Sequence, residues 1–108
     1  MSRPARGDVW WGETPTHGRR PYIVLTRDEV IEHLGEVIVV PLTTIVRGLP
    51  NEVEFDESDG MPRACVTSLD NLSTIAKGQL VEKITVVGPA KMGELCRALG
   101  ATVACESI

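Results

Sequence analysis

The sequence predicts a mainly β protein, a small and strongly bent sheet or half-open barrel closed by one C-terminal helix. Three observations predict it. Six short β-prone runs lie between residues 8 and 87. Turn-forming residues separate them at close intervals. After Pro89 the apolar pattern changes to the 3.6-residue period of an amphipathic helix. With 108 residues, the chain is expected to be one domain spanning residues 1–108, because two hydrophobic cores would not fit.

Asp8-Val9-Trp10-Trp11 is a short β-prone start, and Gly12 to Gly18 is rich in turn formers. Pro21 to Thr26 is a continuous apolar run with β-branched residues, the pattern of a buried strand. Arg27 to Leu34 is polar and fits one helical turn or a loop. Glu36 to Val46 is the longest strand candidate, and Pro41 within it belongs at an edge or bulge because it has no N–H for a ladder. Glu52 to Asp56 alternates apolar and charged residues, as a half-exposed strand does. A turn at Glu57-Ser58-Asp59-Gly60 leads into a strand from Ala64 to Leu69, and Leu80 to Val87 is the last strand. Pro89 opens the helix, since proline suits a first helical turn. Met92, Leu95, Cys96, Leu99 and Val103 form its apolar stripe, which can cover an open face of the barrel.

Composition excludes several classes. No apolar run approaches the ~20 residues that span a bilayer, and the opening Met1-Ser2-Arg3-Pro4-Ala5-Arg6 lacks a signal-peptide core. The expected compartment is the cytoplasm, with no membrane partner. Cys65, Cys96 and Cys105 are odd in number and form no C-x-x-C pair, which argues against a disulfide framework and a zinc site. They read as reduced, small, buried side chains. The net charge of −4 speaks against nucleic acid, yet its distribution is uneven. Residues 1–50 balance six arginines against six carboxylates, while Glu52, Glu54, Asp56, Glu57 and Asp59 make an acidic patch. Arginine suits bidentate phosphate contacts, so charge permits an RNA site without predicting one.

Phosphate-binding Gly-rich loops, H-E-x-x-H and G-x-S-x-G are all missing. His33 sits in a polar surface segment. His17 lies in a Gly/Pro-bounded loop beside Arg19 and Arg20, where a histidine is ordinarily solvated. Arg20 stands immediately before the buried strand, with Pro21 biasing it towards extended backbone. On spacing alone Arg20 is a strand-end charge, and Thr43 and Thr44 are ordinary β formers.

Three blocks change that reading. Arg6-Gly7-Asp8-Val9-Trp10-Trp11 followed by Arg19-Arg20-Pro21-Tyr22-Ile23-Val24-Leu25 resembles R-G-D-V-[WY]-[WYF] … R-P-x-[LV]-V-[LVI] of the MazF/PemK toxins (mRNA interferases). Val39-Val40-Pro41-Leu42-Thr43-Thr44 resembles their V-P-[LI]-T-[ST]. Ser68 to Leu80, containing Asp70-Asn71-Leu72-Ser73-Thr74-Ile75-Ala76-Lys77, resembles their [DE]-[QN]-[LI]-x-[TS]-[LIV]-x-K-x-x-L segment. Any one block is weak, but three in order over nearly the whole chain are specific.

The resemblance implies an SH3-like small barrel of the MazF/PemK/CcdB type with a C-terminal helix. It implies the toxin of a type II toxin–antitoxin system, a homodimer whose groove binds single-stranded RNA. Such toxins cut RNA without a metal or other cofactor, leaving a 2′,3′-cyclic phosphate and a 5′-hydroxyl. By position the catalytic residues are Arg20 and Thr43, with Arg19, His17, Thr44, Asn71 and Lys77 as RNA contacts and no metal ligand. The chemistry suits the pair. Attack of the 2′-hydroxyl on phosphorus builds charge on the phosphoryl oxygens, and losing a positioned donor to such charge costs about 3–4 kcal/mol. Arginine holds its proton tightly and is a reluctant acid; threonine is no strong base and suits positioning.

Two departures concern sequence preference: the loop Thr14-Pro15-Thr16-His17-Gly18 is shorter than in many members, and Asn71 stands where glutamine is common. The family's antitoxin, here a MazE-like partner, lays an acidic and apolar tail across the groove, where Arg19 and Arg20 would anchor it. A chain this small buries only about two-thirds of its surface, which also favours dimerisation. Two rivals stand beside this reading. A CcdB-like gyrase poison uses a C-terminal tripeptide containing tryptophan, whereas this chain ends Glu106-Ser107-Ile108 and has both tryptophans near its start. A non-catalytic SH3-like binding module would leave Arg20 and Thr43 as plain strand residues.

Overall fold

The computed structural model describes residues 3–105. Its elements are β1 (Asp8–Thr14), β2 (Gly18–Val24), α1 (Asp28–Ile31), β3 (Glu36–Thr43), β4 (Glu54–Phe55), β5 (Cys65–Thr67), β6 (Ser73–Ala76), β7 (Leu80–Val86) and α2 (Pro89–Thr102). Single 3-10 turns fall at Glu57–Asp59, Leu69–Asn71 and Lys77–Gln79. The strands form a curled antiparallel sheet in the order β4-β5-β3-β2-β1-β7, with β6 also on β3. Among the described residues no helix is long and apolar enough to cross a membrane. Met1, Ser2 and the terminal Glu106-Ser107-Ile108 lie outside the described residues.

Both faces of the sheet are buried, and strand alternation assigns each side chain to one of them. Val9, Ile23, Val40, Leu42, Phe55 and Cys65 face a core that Leu95 of α2 completes, with Met92, Ala98 and Leu99 packed at its side. Trp10, Tyr22, Val24, Val37 and Val39 face a second core, closed by Ile31 of α1, Ile75 of β6 and Leu80 of β7. The helical stripe is narrower than its periodicity predicts. Leu95 is fully buried, whereas Cys96 is exposed and Val103 is 55% exposed. Cysteine burial needs the same correction: Cys65 is buried, but Cys96 and Cys105 are exposed.

The Arg6-Gly7-Asp8 block is a staple. The buried Asp8 carboxylate accepts from the Ala5 N–H (2.9 Å) and the Trp10 indole N–H (3.1 Å), with Lys83 Nζ 3.4 Å away. Gly7 donates to the Val24 carbonyl and accepts from the Val87 N–H, both at 2.8 Å, tying the ends of β2 and β7 together. Its φ of +88° is one that L side chains rarely adopt. The Arg6 guanidinium donates to the Leu25 carbonyl.

Strand limits differ from the sequence reading where pairing outweighs local propensity. β1 and β2 extend to Thr14 and back to Gly18, pairing Gly12 with Arg20 and Glu13 with Arg19. Arg20 therefore lies inside a strand, not before one. β3 ends at Thr43, leaving Ile45 and Val46 exposed in a loop, and β4 is reduced to Glu54–Phe55. The sequence reading has no strand at β6, because one buried residue, Ile75, leaves no period to detect.

Gly12 is fixed by contact. A Cβ there would stand 2.7 Å from the Tyr22 ring and 2.9 Å from Ile75 Cδ1. Gly12→Ala is therefore expected to destabilise the fold by about 1–3 kcal/mol through overpacking of the second core. Urea unfolding checks this: the midpoint falls while the m-value stays unchanged.

Candidate active site

β2 and β3 pair through Tyr22↔Pro41, Ile23↔Val40 and Val24↔Val39. Two residues beyond the Tyr22↔Pro41 pair on each strand, Arg20 and Thr43 fall on the face that carries Tyr22. Both are half-buried. Two clefts adjoin there. The first, of about 380 Å³, is lined by Trp11, Pro21, Leu42, Thr44, Met61, Pro62, Arg63 and Cys65 beside His17, Arg19, Arg20 and Thr43. The second, of about 330 Å³, shares His17, Arg20 and Thr43 and adds Tyr22, Pro41, Ile45, Arg47, Ser68, Asn71 and Ser73. Arg20 and Thr43 thus stand on the wall that two clefts have in common.

The two basic neighbours at this wall differ in state. Arg19 donates to Glu13 (2.8 Å) and Glu82 (2.9 Å) and lies 4.9 Å above the Trp11 ring. Its hydrogen bond to Glu13, followed by that to Glu82, raises its pKa above the ordinary arginine value. Arg20 has no hydrogen-bond or ion-pair partner among the described residues, so its donors are available. Thr43 Oγ1 accepts from the Ile45 N–H at 3.1 Å, which leaves the hydroxyl hydrogen to donate elsewhere.

His17 occupies the turn between β1 and β2, its N–H on Thr14 Oγ1 at 3.1 Å, and borders both clefts. Thr44 borders the first cleft and Asn71 the second, where Asn71 Nδ2 donates to Ser68 Oγ at 2.7 Å. Lys77 is elsewhere: its ammonium donates to the Ile31 carbonyl at 2.9 Å, at the C-terminal end of α1, and it lines neither cleft. The sequence reading overlooks Trp11, Tyr22, Arg47 and Arg63. Arg63 follows Pro62 in an irregular loop, and no periodicity or spacing marks it. Cys65 is no nucleophile candidate, since burial, then the charges of Asp59 and Asp56, push its thiol pKa up. Among the described residues no group of three or more His, Cys, Asp or Glu side chains is arranged to hold a metal ion. The arrangement offers unpaired guanidinium donors and a hydroxyl at a groove wall, which is the chemistry of phosphate binding.

Comparison with known proteins shows the family. The family model for the PemK-like, MazF-like toxin of type II toxin–antitoxin systems matches residues 5–103. The chain is 40% identical over 104 residues to "Probable endoribonuclease MazF5" of Mycobacterium tuberculosis (strain ATCC 25618 / H37Rv), covering 95% of each chain. It is 40% identical over 81 residues to "Endoribonuclease MazF3" of the same strain, covering 75% of this chain and 79% of that one. Among solved structures, the Mycobacterium tuberculosis toxin MazF-mt6 superposes with a TM-score of 0.85 at 32% identity, covering 93% of this chain and 99% of that one. An endoribonuclease in complex with its cognate antitoxin, from a mycobacterial species, superposes with a TM-score of 0.82 at 26% identity over 100% of both chains. With a family match over nearly its whole length and relatives at this identity, the chain belongs to the PemK-like, MazF-like toxins of type II toxin–antitoxin systems.

Proposed function

We propose that this chain is an endoribonuclease toxin that cuts single-stranded RNA at selected sequences, with Arg20 and Thr43 as its catalytic pair. The observation that carries the reading is that the unpaired Arg20 guanidinium and the Thr43 hydroxyl line the wall shared by two clefts. The names of the relatives, endoribonucleases, favour it over a gyrase poison.

In this mechanism the RNA 2′-oxygen attacks the adjacent phosphorus and its proton passes to solvent. The P–O5′ bond breaks, the leaving oxygen takes a proton from solvent, and a 2′,3′-cyclic phosphate and a 5′-hydroxyl remain. Arg20 holds the charge that builds on the phosphoryl oxygens with two donors. Thr43, its oxygen already accepting from Ile45, donates its hydrogen to a phosphoryl oxygen and aligns the attack. His17, Arg19, Thr44 and Asn71 are the proposed RNA contacts at the wall and in the clefts. Lys77 has a structural role at the end of α1. Arg63 in the first cleft and Arg47 in the second hold phosphates of flanking nucleotides. The reading also includes a homodimer, cytoplasmic action and control by a MazE-like antitoxin. Ile45, Val46 and Leu49, 63%, 65% and 42% exposed on the loop after β3, support a partner chain beside the groove.

Arg20→Ala is expected to abolish cleavage of total RNA and growth arrest while the thermal midpoint is kept, and Arg20→Lys to stay poor because a point charge lacks the fork. Thr43→Ala is expected to lower activity strongly. Wild-type cleavage continues in excess EDTA and yields cyclic phosphate ends. Full activity of Arg20→Ala, or 5′-phosphate products that require magnesium, overturns the assignment. Arg63→Gln is expected to weaken RNA binding for all sequences alike. It lowers the slope of log affinity against log salt by about 0.7, one phosphate contact on a single strand, as a filter-binding titration reads out. Light scattering is expected to show a dimer at micromolar concentration, and a MazE-like antitoxin peptide to compete with RNA. Simultaneous binding of both refutes the groove-covering control.

A further inference from the structure

The two clefts differ in chemistry. Beyond the shared wall the first is lined mainly by Trp11, Pro21, Leu42, Met61 and Pro62, with the Thr44 hydroxyl and the Arg63 guanidinium; it offers shape and stacking but no side-chain amide. The second is lined by Tyr22, Ser68, Asn71 and Ser73. Tyr22 is the informative residue. It is only 4% exposed, and its ring packs in the second core. Its hydroxyl makes no hydrogen bond among the described residues, yet no fully enclosed side-chain nitrogen or oxygen there lacks a partner. The hydroxyl therefore keeps an opening; the residue borders the second cleft and a neighbouring recess beside Thr14, Ser73 and Gln79. A buried tyrosine ordinarily finds a partner for its hydroxyl. Here the fold supplies none and leaves the group at a recess one pleat from the Arg20–Thr43 wall.

Asn71 faces the same recess. One of its amide hydrogens is engaged by Ser68 Oγ at 2.7 Å, which fixes the side chain and leaves Oδ1 and a second N–H unused. A held hydroxyl and a held amide beside a phosphate-binding arginine match the edge of an unstacked nucleobase, which single-stranded RNA can turn outward.

We propose that the second cleft is the base-reading subsite of this enzyme, in which the Tyr22 hydroxyl and the Asn71 amide recognise one nucleobase next to the scissile phosphate. The first cleft holds the base on the other side by shape and stacking and tolerates more than one identity. Resting on the reading of this chain as an endoribonuclease, the proposal predicts an asymmetric cleavage motif: strict on one side of the cut, relaxed on the other.

The test is cleavage of a randomised single-stranded RNA library, with sequencing of the 5′-hydroxyl ends, by wild type, Tyr22→Phe and Asn71→Ala. Tyr22→Phe removes only the unpartnered hydroxyl, so its thermal midpoint matches wild type. Discrimination at one nucleotide position beside the cut falls by about fivefold, the worth of one hydrogen bond. Asn71→Ala relaxes the same position, and the other side of the motif is unchanged in both variants. A Tyr22→Phe enzyme that cuts the wild-type motif with wild-type discrimination overturns the proposal, as does a loss of thermal stability, which would make the hydroxyl structural. Wild-type protein that cuts no RNA instead overturns the endoribonuclease reading on which the proposal rests.

Discussion

The site depends on one missing hydrogen-bond donor in the middle of the longest strand. Pro41 lies in β3, paired with Tyr22 of β2 on one side. Its carbonyl accepts from the Ser68 N–H at 2.9 Å on the other side, so its ring nitrogen points that way too. A continuous ladder cannot run past that nitrogen. β3 instead pairs with β6 from Glu36 to Val39, then with β5 from Leu42 to Thr43. The chain between those two partners, Ser68 to Leu72, bows out as a 3-10 turn, and the space it encloses with Pro41 is the second cleft. The same break leaves Thr43 at the last paired position of the strand, with its hydroxyl free to turn back to Ile45. A residue that could donate at position 41 would favour one uninterrupted partner and fill the gap.

Burial on both faces makes this local break affordable. Helix α2 covers one core, while α1, β6 and β7 curl over the other. The Asp8 carboxylate ties the start of β1 to Lys83 of β7, and Gly7 ties the ends of β2 and β7. Between the two edges of the curl, Thr85 Oγ1 of β7 donates to the Asp59 carbonyl, in the turn after β4, at 3.2 Å. Gly60, with φ +92°, comes so close that a Cβ would collide with the Thr85 hydroxyl. Closure there is by side-chain contact and glycine packing, which permits a half-open barrel.

Net charge misleads as a guide to this groove. The chain carries −4, and many of its cations are neutralised locally: Arg3 by Glu32, Arg19 by Glu13 and Glu82, Lys83 by Asp8, Lys91 by Asp59. Arg20, Arg47 and Arg63 have no such partner among the described residues, and all three border the clefts. What a polyanion meets at close range is the local field, because exposed charges more than a Debye length away are largely screened. The acidic stretch from Glu52 to Asp59 is itself held by local bonds: Glu52 caps the Arg47, Gly48 and Leu49 N–H groups, and Asp56 with Asp59 forms a capping box. Hydrogen bonding from Ser58 lowers the Asp56 pKa.

The mainly β class, the terminal helix from Pro89 and the buried cores of β2 and β3 are legible in the chain, because apolar period and proline position are local properties. Its motif blocks also drew attention to Arg20 and Thr43. Strand pairing and packing set the rest. They extended the first hairpin through turn-rich residues, created β6 from a segment with one buried side chain, and turned Cys96 and Val103 outward on α2. They also separated residues that spacing treats alike. Arg19 and Arg20 are neighbours in sequence, yet strand alternation engages one with Glu13, Glu82 and Trp11 at the first cleft and leaves the other unpaired on the wall that both clefts share. Lys77 went to the end of α1, Tyr22 turned from an apolar strand run to the rim of the second cleft, and Arg63 came to the first from a position with no local signal. A side chain's partners are set by which face of which strand meets it across the sheet, and that pairing is long-range information that no window of sequence contains.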